Sequence, residues 1–370
     1  MGKFEELGIR SEFVKGLNEL NIIDPSEIQE KVIPLLLEEK CDLVGQAQTG
    51  TGKTAAFGLP LLQQIDPKNK KVQALILCPT RELGRQVANQ LFKFTKYSEK
   101  IFTEAVYGGE KIDIQIGKLK RPTHIVVATP GRMLDLIRRK AVDIRDVKTV
   151  VLDEADEMLS MGFKTELEAI LQTVRAAESK WLFSATMPKG IQDIVNNYLS
   201  NSAHKITINA NNVVNKNIEH QYAVCSDSDK LNFLLAFLKS QHKNRGVVFC
   251  KTKAQSEKLA KQLIVKNVSA DAINGDLQQK ERDKVMRAFK NESLQILVAT
   301  DLAARGIDID DLAFVAHYTL PDKDEHYTHR SGRTARAGKS GISISFVNAK
   351  ELKSLRFFEK TLGFQLKEVR

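Results

Sequence analysis

Four cysteines in 370 residues, Cys41, Cys78, Cys225 and Cys250, form no C-x-x-C pair. That excludes a disulfide framework and a cysteine-based zinc site, and leaves free, mostly buried thiols in a reducing cytosol. No apolar run approaches the roughly 18 residues of a membrane span. The start, Met1-Gly2-Lys3-Phe4-Glu5-Glu6, lacks the apolar stretch of a signal peptide, and Glu6 spoils a myristoylation pattern. Low-complexity segments are absent, and aromatics are only 6%. A cytoplasmic globular protein without membrane association is expected.

Charge, by contrast, is plentiful and uneven. The formal net charge is +10. Residues 1–214 carry 29 basic against 27 acidic side chains, and residues 215–370 carry 27 against 19. The second half is the better electrostatic candidate for a polyanion.

Short apolar runs alternate with amphipathic stretches. Strands are expected at 42–44, 74–78, 125–128, 149–152, 181–184, 246–250, 270–273, 295–299, 313–318 and 341–347, with helices such as 82–96, 256–266 and 350–362 among them. This rhythm predicts an α/β protein with parallel sheets covered by helices on both faces. Residues 209–217 hold five asparagines and break the rhythm, as a linker would.

Ala47-Gln48-Thr49-Gly50-Thr51-Gly52-Lys53-Thr54 reads as a phosphate-binding loop between a strand and a helix. Gly50 and Gly52 permit backbone angles that turn successive N–H groups toward a phosphate. The helix that follows adds its dipole. Lys53 supplies positive charge for the β and γ phosphates, and Thr54 a hydroxyl ligand for Mg²⁺. Ala47 stands where a first glycine is usual, with Gly45 nearby. A hundred residues on, Asp153-Glu154-Ala155-Asp156 closes the apolar run Val150-Val151-Leu152. Carboxylates at such a strand end sit where open α/β sheets bind ligands. Asp153 is placed to hold Mg²⁺ and Glu154 to orient or deprotonate the attacking water. Asp156 is expected to brace neighbouring side chains. Loop and acidic pair together predict Mg-nucleotide chemistry.

With these motifs on view, the chain resembles the DEAD-box RNA helicase family over nearly its whole length. Asp153–156 matches the motif that names the family. Pro79-Thr80-Arg81-Glu82-Leu83, Gly108-Gly109 and Thr129-Pro130-Gly131-Arg132 are similar to its first-domain RNA-contact motifs. Ser184-Ala185-Thr186 is similar to its coupling motif. Val248-Phe249-Cys250-Lys251-Thr252, residues 279–282, 300–308 and His329-Arg330-Ser331-Gly332-Arg333-Thr334-Ala335-Arg336 complete the set. Pro25-Ser26-Glu27-Ile28-Gln29 resembles the family's Q motif, with Phe4 upstream. The resemblance implies two tandem RecA-like domains with a cleft between them: 1–208 with the ATP-binding motifs, a linker at 209–217, and a helicase domain at 218–370.

The same resemblance assigns roles. Gln29 reads the adenine edge and Phe4 stacks on the ring. Gly306 and Asp308 line the nucleotide, and Arg333 and Arg336 act as arginine fingers. Pro79, Thr80, Arg81, Gly109, Thr129, Pro130, Gly131 and Arg132 track the RNA backbone in one domain. Lys251, Thr252, Arg282 and Thr300 do so in the other. Ser184, Thr186 and His329, with Asp156, couple the two ligands. Nothing resembles a base-reading surface, so low sequence specificity is expected. A monomer with partner proteins that recruit it is implied. Many bacterial relatives carry a C-terminal extension that selects RNA; this sequence stops at Arg370, either as part of a longer protein or as a minimal core recruited by partners, and weak, salt-dependent RNA affinity is expected of it.

Four positions depart from the family pattern. Gly84 stands in place of alanine, Thr319 of aspartate, Ser331 of isoleucine and Ala335 of glycine. An ATP-gated RNA clamp with little net unwinding shares the core motifs, whereas the RNA-contact motifs argue against a phosphate-loop ATPase acting on DNA or protein. Strand displacement measured beside RNA-stimulated hydrolysis separates the first, and equal stimulation by DNA would favour the second.

Overall fold

The computed structural model describes residues 2–48, 50–174, 177–208, 216–304, 312–335 and 339–369. The chain divides into two compact units, Met1–Ile208 and Asn209–Arg370. Most of the 209–217 linker segment lies outside the described residues.

Among the described residues the first unit forms a parallel seven-stranded sheet. Its strands are β1 (Leu43–Gln46), β2 (Ala74–Leu77), β3 (Thr103–Val106), β4 (Ile125–Ala128), β5 (Thr149–Leu152), β6 (Ser179–Ser184) and β7 (His204–Thr207). Their spatial order is β3-β4-β2-β5-β6-β1-β7. Register pairs Leu43 with Trp181, and Ala74 with both Ile125 and Thr149. Strands β2, β4 and β5 are buried on both faces, which is why they read as unbroken apolar runs. Their side chains alternate between two cores. Ala74, Ile76, Ile125 and Val127 pack with the helices Ser11–Glu19, Glu27–Glu38, Lys53–Gln64 and Arg81–Phe94. Leu75, Leu77, Val126 and Ala128 pack with Pro130–Arg138, Ala155–Ser160, Lys164–Thr173 and Lys189–Tyr198.

The second unit repeats the plan. Strands β8 (Ile218–Val224), β9 (Gly246–Cys250), β10 (Ala270–Ile273), β11 (Ile296–Thr300), β12 (Phe314–His317), β13 (Gly341–Val347) and β14 (Leu366–Glu368) form a parallel sheet in the order β10-β11-β9-β12-β13-β8-β14. Val248 and Cys250 face one core, Val247 and Phe249 the other. The expected α/β architecture of two parallel sheets is present. The sequence reading missed β3, β7, β8 and β14. Three of these lie at sheet edges, where half-exposed strands such as His204-Lys205-Ile206-Thr207 carry charge between apolar residues.

Candidate functional site

Because every strand runs the same way, the loops after them emerge along one edge of each sheet. In the first unit the spatial order of strand ends is informative. The phosphate loop follows β1, Ser184-Ala185-Thr186 ends β6, and Asp153 follows β5; these three strands are neighbours. Next come Pro79-Thr80 after β2, Thr129 after β4 and Gly108-Gly109 after β3. The motifs expected to bind nucleotide thus occupy one side of the edge and those expected to contact the RNA backbone the other, at the place where open α/β sheets bind ligands.

The phosphate loop has the backbone its glycines permit: φ is +83° at Gly50 and +92° at Gly52. Lys53 is buried, and its Nζ donates to the Ala47 carbonyl at 2.9 Å. The loop is held from outside by the Q motif. Ser26 Oγ donates to the Thr51 carbonyl at 2.7 Å. Gln29 Nε2 donates to the Gly52 carbonyl at 3.0 Å, while its Oε1 accepts from the Ser26 N–H at 2.9 Å. A Cβ on Gly52 would collide with that amide. The Gln29 amide is therefore half engaged by the chain, with one N–H and one lone pair left for an adenine edge. Phe4 is 2% exposed within the core, so stacking on adenine needs that ring to be uncovered. Gly45 is not a displaced loop glycine. It lies in β1, where a Cβ would strike the Phe183 ring at 2.7 Å.

Asp153 is 2% exposed, and its Oδ1 is buried without a hydrogen-bond partner. Burial raises its carboxyl to about 7 from an ordinary 3.8; the Lys53 charge opposes this and Glu154 adds to it. An orphaned, dehydrated carboxylate oxygen beside the phosphate loop fits a divalent cation, whose charge would offset that cost. Glu154 has φ +52°, a left-handed angle that strains a non-glycine residue, and it stands immediately before the helix Ala155–Ser160. Asp156 Oδ2 accepts from both the backbone N–H and the hydroxyl of Thr186, each at 2.8 Å. Ser184 Oγ donates to the Thr186 carbonyl at 2.7 Å and accepts from the Asp156 N–H at 3.3 Å. Asp156, Ser184 and Thr186 are thus one hydrogen-bonded cluster, and the Ala47 N–H ties the phosphate loop to the Ser184 carbonyl at 3.0 Å.

Among the backbone-contact motifs, Thr80 Oγ1 caps its helix by accepting from the Leu83 N–H at 3.3 Å. Gly109 has φ +87°, and a Cβ there would meet Arg81 Nη1 at 2.6 Å. Thr129 and Pro130 open the helix that contains Gly131 and Arg132. The Arg132 guanidinium is anchored within the unit: Nη1 donates to Gln115 Oε1 at 2.6 Å and Nη2 to the Glu110 carbonyl at 2.9 Å. Gln115, fully buried, donates on to the Tyr107 carbonyl and to Glu110 Oε2. The sequence reading missed Gln115, and a buried amide on an otherwise ordinary amphipathic helix gives no local signal.

In the second unit, Lys251 Nζ pairs with Asp322 at 2.9 Å, and Thr252 caps the helix Lys253–Val265. Thr300 ends β11. Arg282 is 8% exposed, with Nη2 on the Ala303 carbonyl at 2.7 Å. Arg330 forks onto both oxygens of Asp301, at 2.5 and 2.7 Å, and stacks on Phe249. Arg330, Arg333 and His329 line one small cavity with Phe249, Asp301, Ala304 and His326. Three departures acquire partners or a cost here. Ser331 bonds Ser343 at 2.9 Å beside the buried His317. Thr319 donates to Gln255, which also accepts from the Lys251 N–H. Ala335 sits at φ +58°, which explains why glycine suits the position. Thr49, Gly306, Asp308 and Arg336 lie outside the described residues. Among the described residues no cluster of metal-ligating side chains and no helix able to cross a membrane is found.

A phosphate loop and a strand-end acid pair on one parallel sheet, with a second sheet of the same plan, define tandem RecA-like units, the first of which carries a nucleotide site. Comparison with known proteins narrows the class. Residues 26–194 match the "DEAD/DEAH box helicase" profile and residues 229–338 the "Helicase conserved C-terminal domain" profile. The ATP-dependent RNA helicase CshA of Listeria monocytogenes is 45% identical over 361 residues, which is 98% of this chain and 69% of the relative. The DEAD-box ATP-dependent RNA helicase CshA of Geobacillus kaustophilus is 42% identical, over 98% of this chain and 77% of the relative. The solved structure of S. cerevisiae Dbp5 bound to RNA and ADP BeF3 aligns with TM-score 0.91 and 31% identity, over 100% of this chain and 96% of that one. The chain belongs to the DEAD/DEAH box helicase family.

Proposed function

We propose that this protein is an ATP-dependent RNA helicase, in which RNA-stimulated ATP hydrolysis drives local separation of short duplexes or remodelling of RNA–protein complexes. The observation that carries this reading is the order of strand ends. Ser184, Thr186 and Asp156 lie between the phosphate loop and the Thr80 and Thr129 loops, joined by hydrogen bonds of 2.7–3.3 Å.

In this reading the Gly50–52 backbone and Lys53 bind the ATP phosphates, with Gln48, Thr49 and Thr51 completing the loop. Thr54 and Asp153 would hold Mg²⁺, which when bound screens charge on the phosphates. Glu154 orients the attacking water and takes its proton. Arg333 and Arg336, with Gly306 and Asp308, serve the nucleotide from the second unit. Arginine fingers of this type are typically worth about 10³–10⁵ in rate. RNA is held through its sugar-phosphate backbone by Pro79, Thr80, Arg81, Gly109, Thr129 and the Gly131 N–H at the helix start set by Pro130, and by Lys251, Thr252 and Thr300. Arg132 and Arg282 add guanidinium contacts to the same backbone alongside their bonds within the chain. A cytoplasmic monomer with low sequence specificity, recruited by partner proteins, completes the reading.

The test pairs RNA-stimulated ATPase with strand displacement. Glu154→Gln should retain ATP and RNA binding and lose turnover by at least about 10³-fold. Ser184→Ala with Thr186→Ala should keep ATPase and lose displacement. Wild-type protein that hydrolyses ATP equally with DNA, RNA or neither would overturn the proposal.

A further inference from the structure

The last long helix, Glu351–Leu362, packs Leu355, Phe358 and Leu362 into the second unit. At 100° per residue, Lys350, Lys353, Phe357 and Lys360 fall together on the opposite side, within an arc of about 80° and over about 15 Å of axis. All four are exposed, Phe357 to 62%. Among the described residues none of the three lysines has a carboxylate partner. The two acids of this helix are committed elsewhere, Glu351 to Lys230 and Glu359 to Arg356, each at 2.8 Å. Arg356 is itself held by Tyr222. The stripe is therefore uncompensated positive charge around a bare phenyl ring.

Its position matters as much as its composition. Strand β13 is parallel to β9 and β11, and Lys350 leaves the sheet at the same edge as Lys251, Thr252 and Thr300. We propose that this helix face is an auxiliary site for single-stranded RNA, with the lysines on successive phosphates and Phe357 stacking a base. It extends the backbone track past the motif residues, and it rests on the RNA-helicase reading above. Lysines spaced around an exposed aromatic match a flexible polyanion that carries stackable bases. An acidic protein surface would use the charge but not the ring.

The experiment measures anisotropy of labelled oligouridines with the full chain, using lengths of about 10 and 25 nucleotides to bracket a compact single-strand site. For the longer RNA, Lys353→Glu with Lys360→Glu should weaken binding about tenfold or more. Losing two phosphate contacts should also flatten the slope of log K against log salt by about 1.4. Phe357→Ala should weaken it by about fivefold or more. ATPase stimulated by the shorter RNA should not change in either variant. Unchanged affinity for the longer RNA overturns the proposal. So does displacement of that RNA from wild-type protein by poly-glutamate as effective as by unlabelled RNA. A wild-type protein with no RNA-stimulated ATPase refutes the underlying helicase reading instead.

Discussion

Gln29 can be asked which of two jobs it does. Its amide links the Ser26 N–H to the Gly52 carbonyl, and the chain around it is nearly closed, with 4% exposure. Gln29→Ala removes both bonds. Each net bond of this kind is worth about 0.5–1.5 kcal/mol, so the pair stabilises the ordered loop by about 1–3 kcal/mol. If that energy is used to hold the loop in its phosphate-binding form, nucleotide affinity falls by about 5- to 150-fold at 1.4 kcal/mol per tenfold. The loss should be shared by ATP and GTP, because the loop touches phosphates and not the base. Gln29→Glu is harsher. It keeps the acceptor for Ser26 but sets a carboxylate oxygen against the Gly52 carbonyl. Fluorescent analogues of the two nucleotides, titrated against wild type and both variants, give the six dissociation constants needed. An ATP affinity that collapses while GTP affinity stays put would refute the loop-holding role and leave Gln29 as a reader of adenine alone.

Further outcomes follow from single positions. Gly84→Ala should stabilise the first unit by about 1 kcal/mol, because the new methyl sits 3.7 Å from Val127 and the helix gains an alanine; urea unfolding of that unit reads it. Ala335→Gly should relieve the left-handed strain at φ +58° and raise stability of the second unit by about 0.5–1 kcal/mol, measured the same way. Burial pushes His220 down from 6.5 to about 4. Above pH 6.5 it is neutral in both states and costs nothing. As pH falls from 6.5 to 4 only the unfolded chain takes the proton, so stability drops by about 3 kcal/mol across that window. His220→Phe should flatten the pH dependence of the second unit's unfolding there, and an unchanged slope would exclude His220 as its source.

How much of this was legible in the sequence depended on how local each feature is. The phosphate loop and Asp153–156 are contiguous, and a strand-loop-helix context of a few residues suffices to read them. Central strands were visible because burial on both faces demands unbroken apolar runs. Edge strand β7 escaped because one face is wet and its Lys205 and Thr207 break the run. The network of Arg132, Gln115 and Glu110 escaped for another reason. It joins residues from two separate segments, and only folding brings Gln115 and Glu110 to the guanidinium. Ser331 looked like an arbitrary departure until Ser343 and His317 appeared beside it, 12 and 14 residues away in the chain.

The strand order of the first unit also governs how the protein is made. The phosphate-loop strand β1 has no hydrogen-bonded neighbour among the strands that precede residue 179; its partners are β6 and β7. A ribosome that has released the loop, both of its glycines and Lys53 has not yet supplied the strands that anchor them. Contacts this distant in sequence form late in folding. A nascent chain ending before Ser179 therefore carries the full phosphate-binding sequence with no sheet to hold it. ATP binding arrives only when nearly the whole unit has emerged, together with Ser184 and Thr186, the residues proposed to report its presence to RNA.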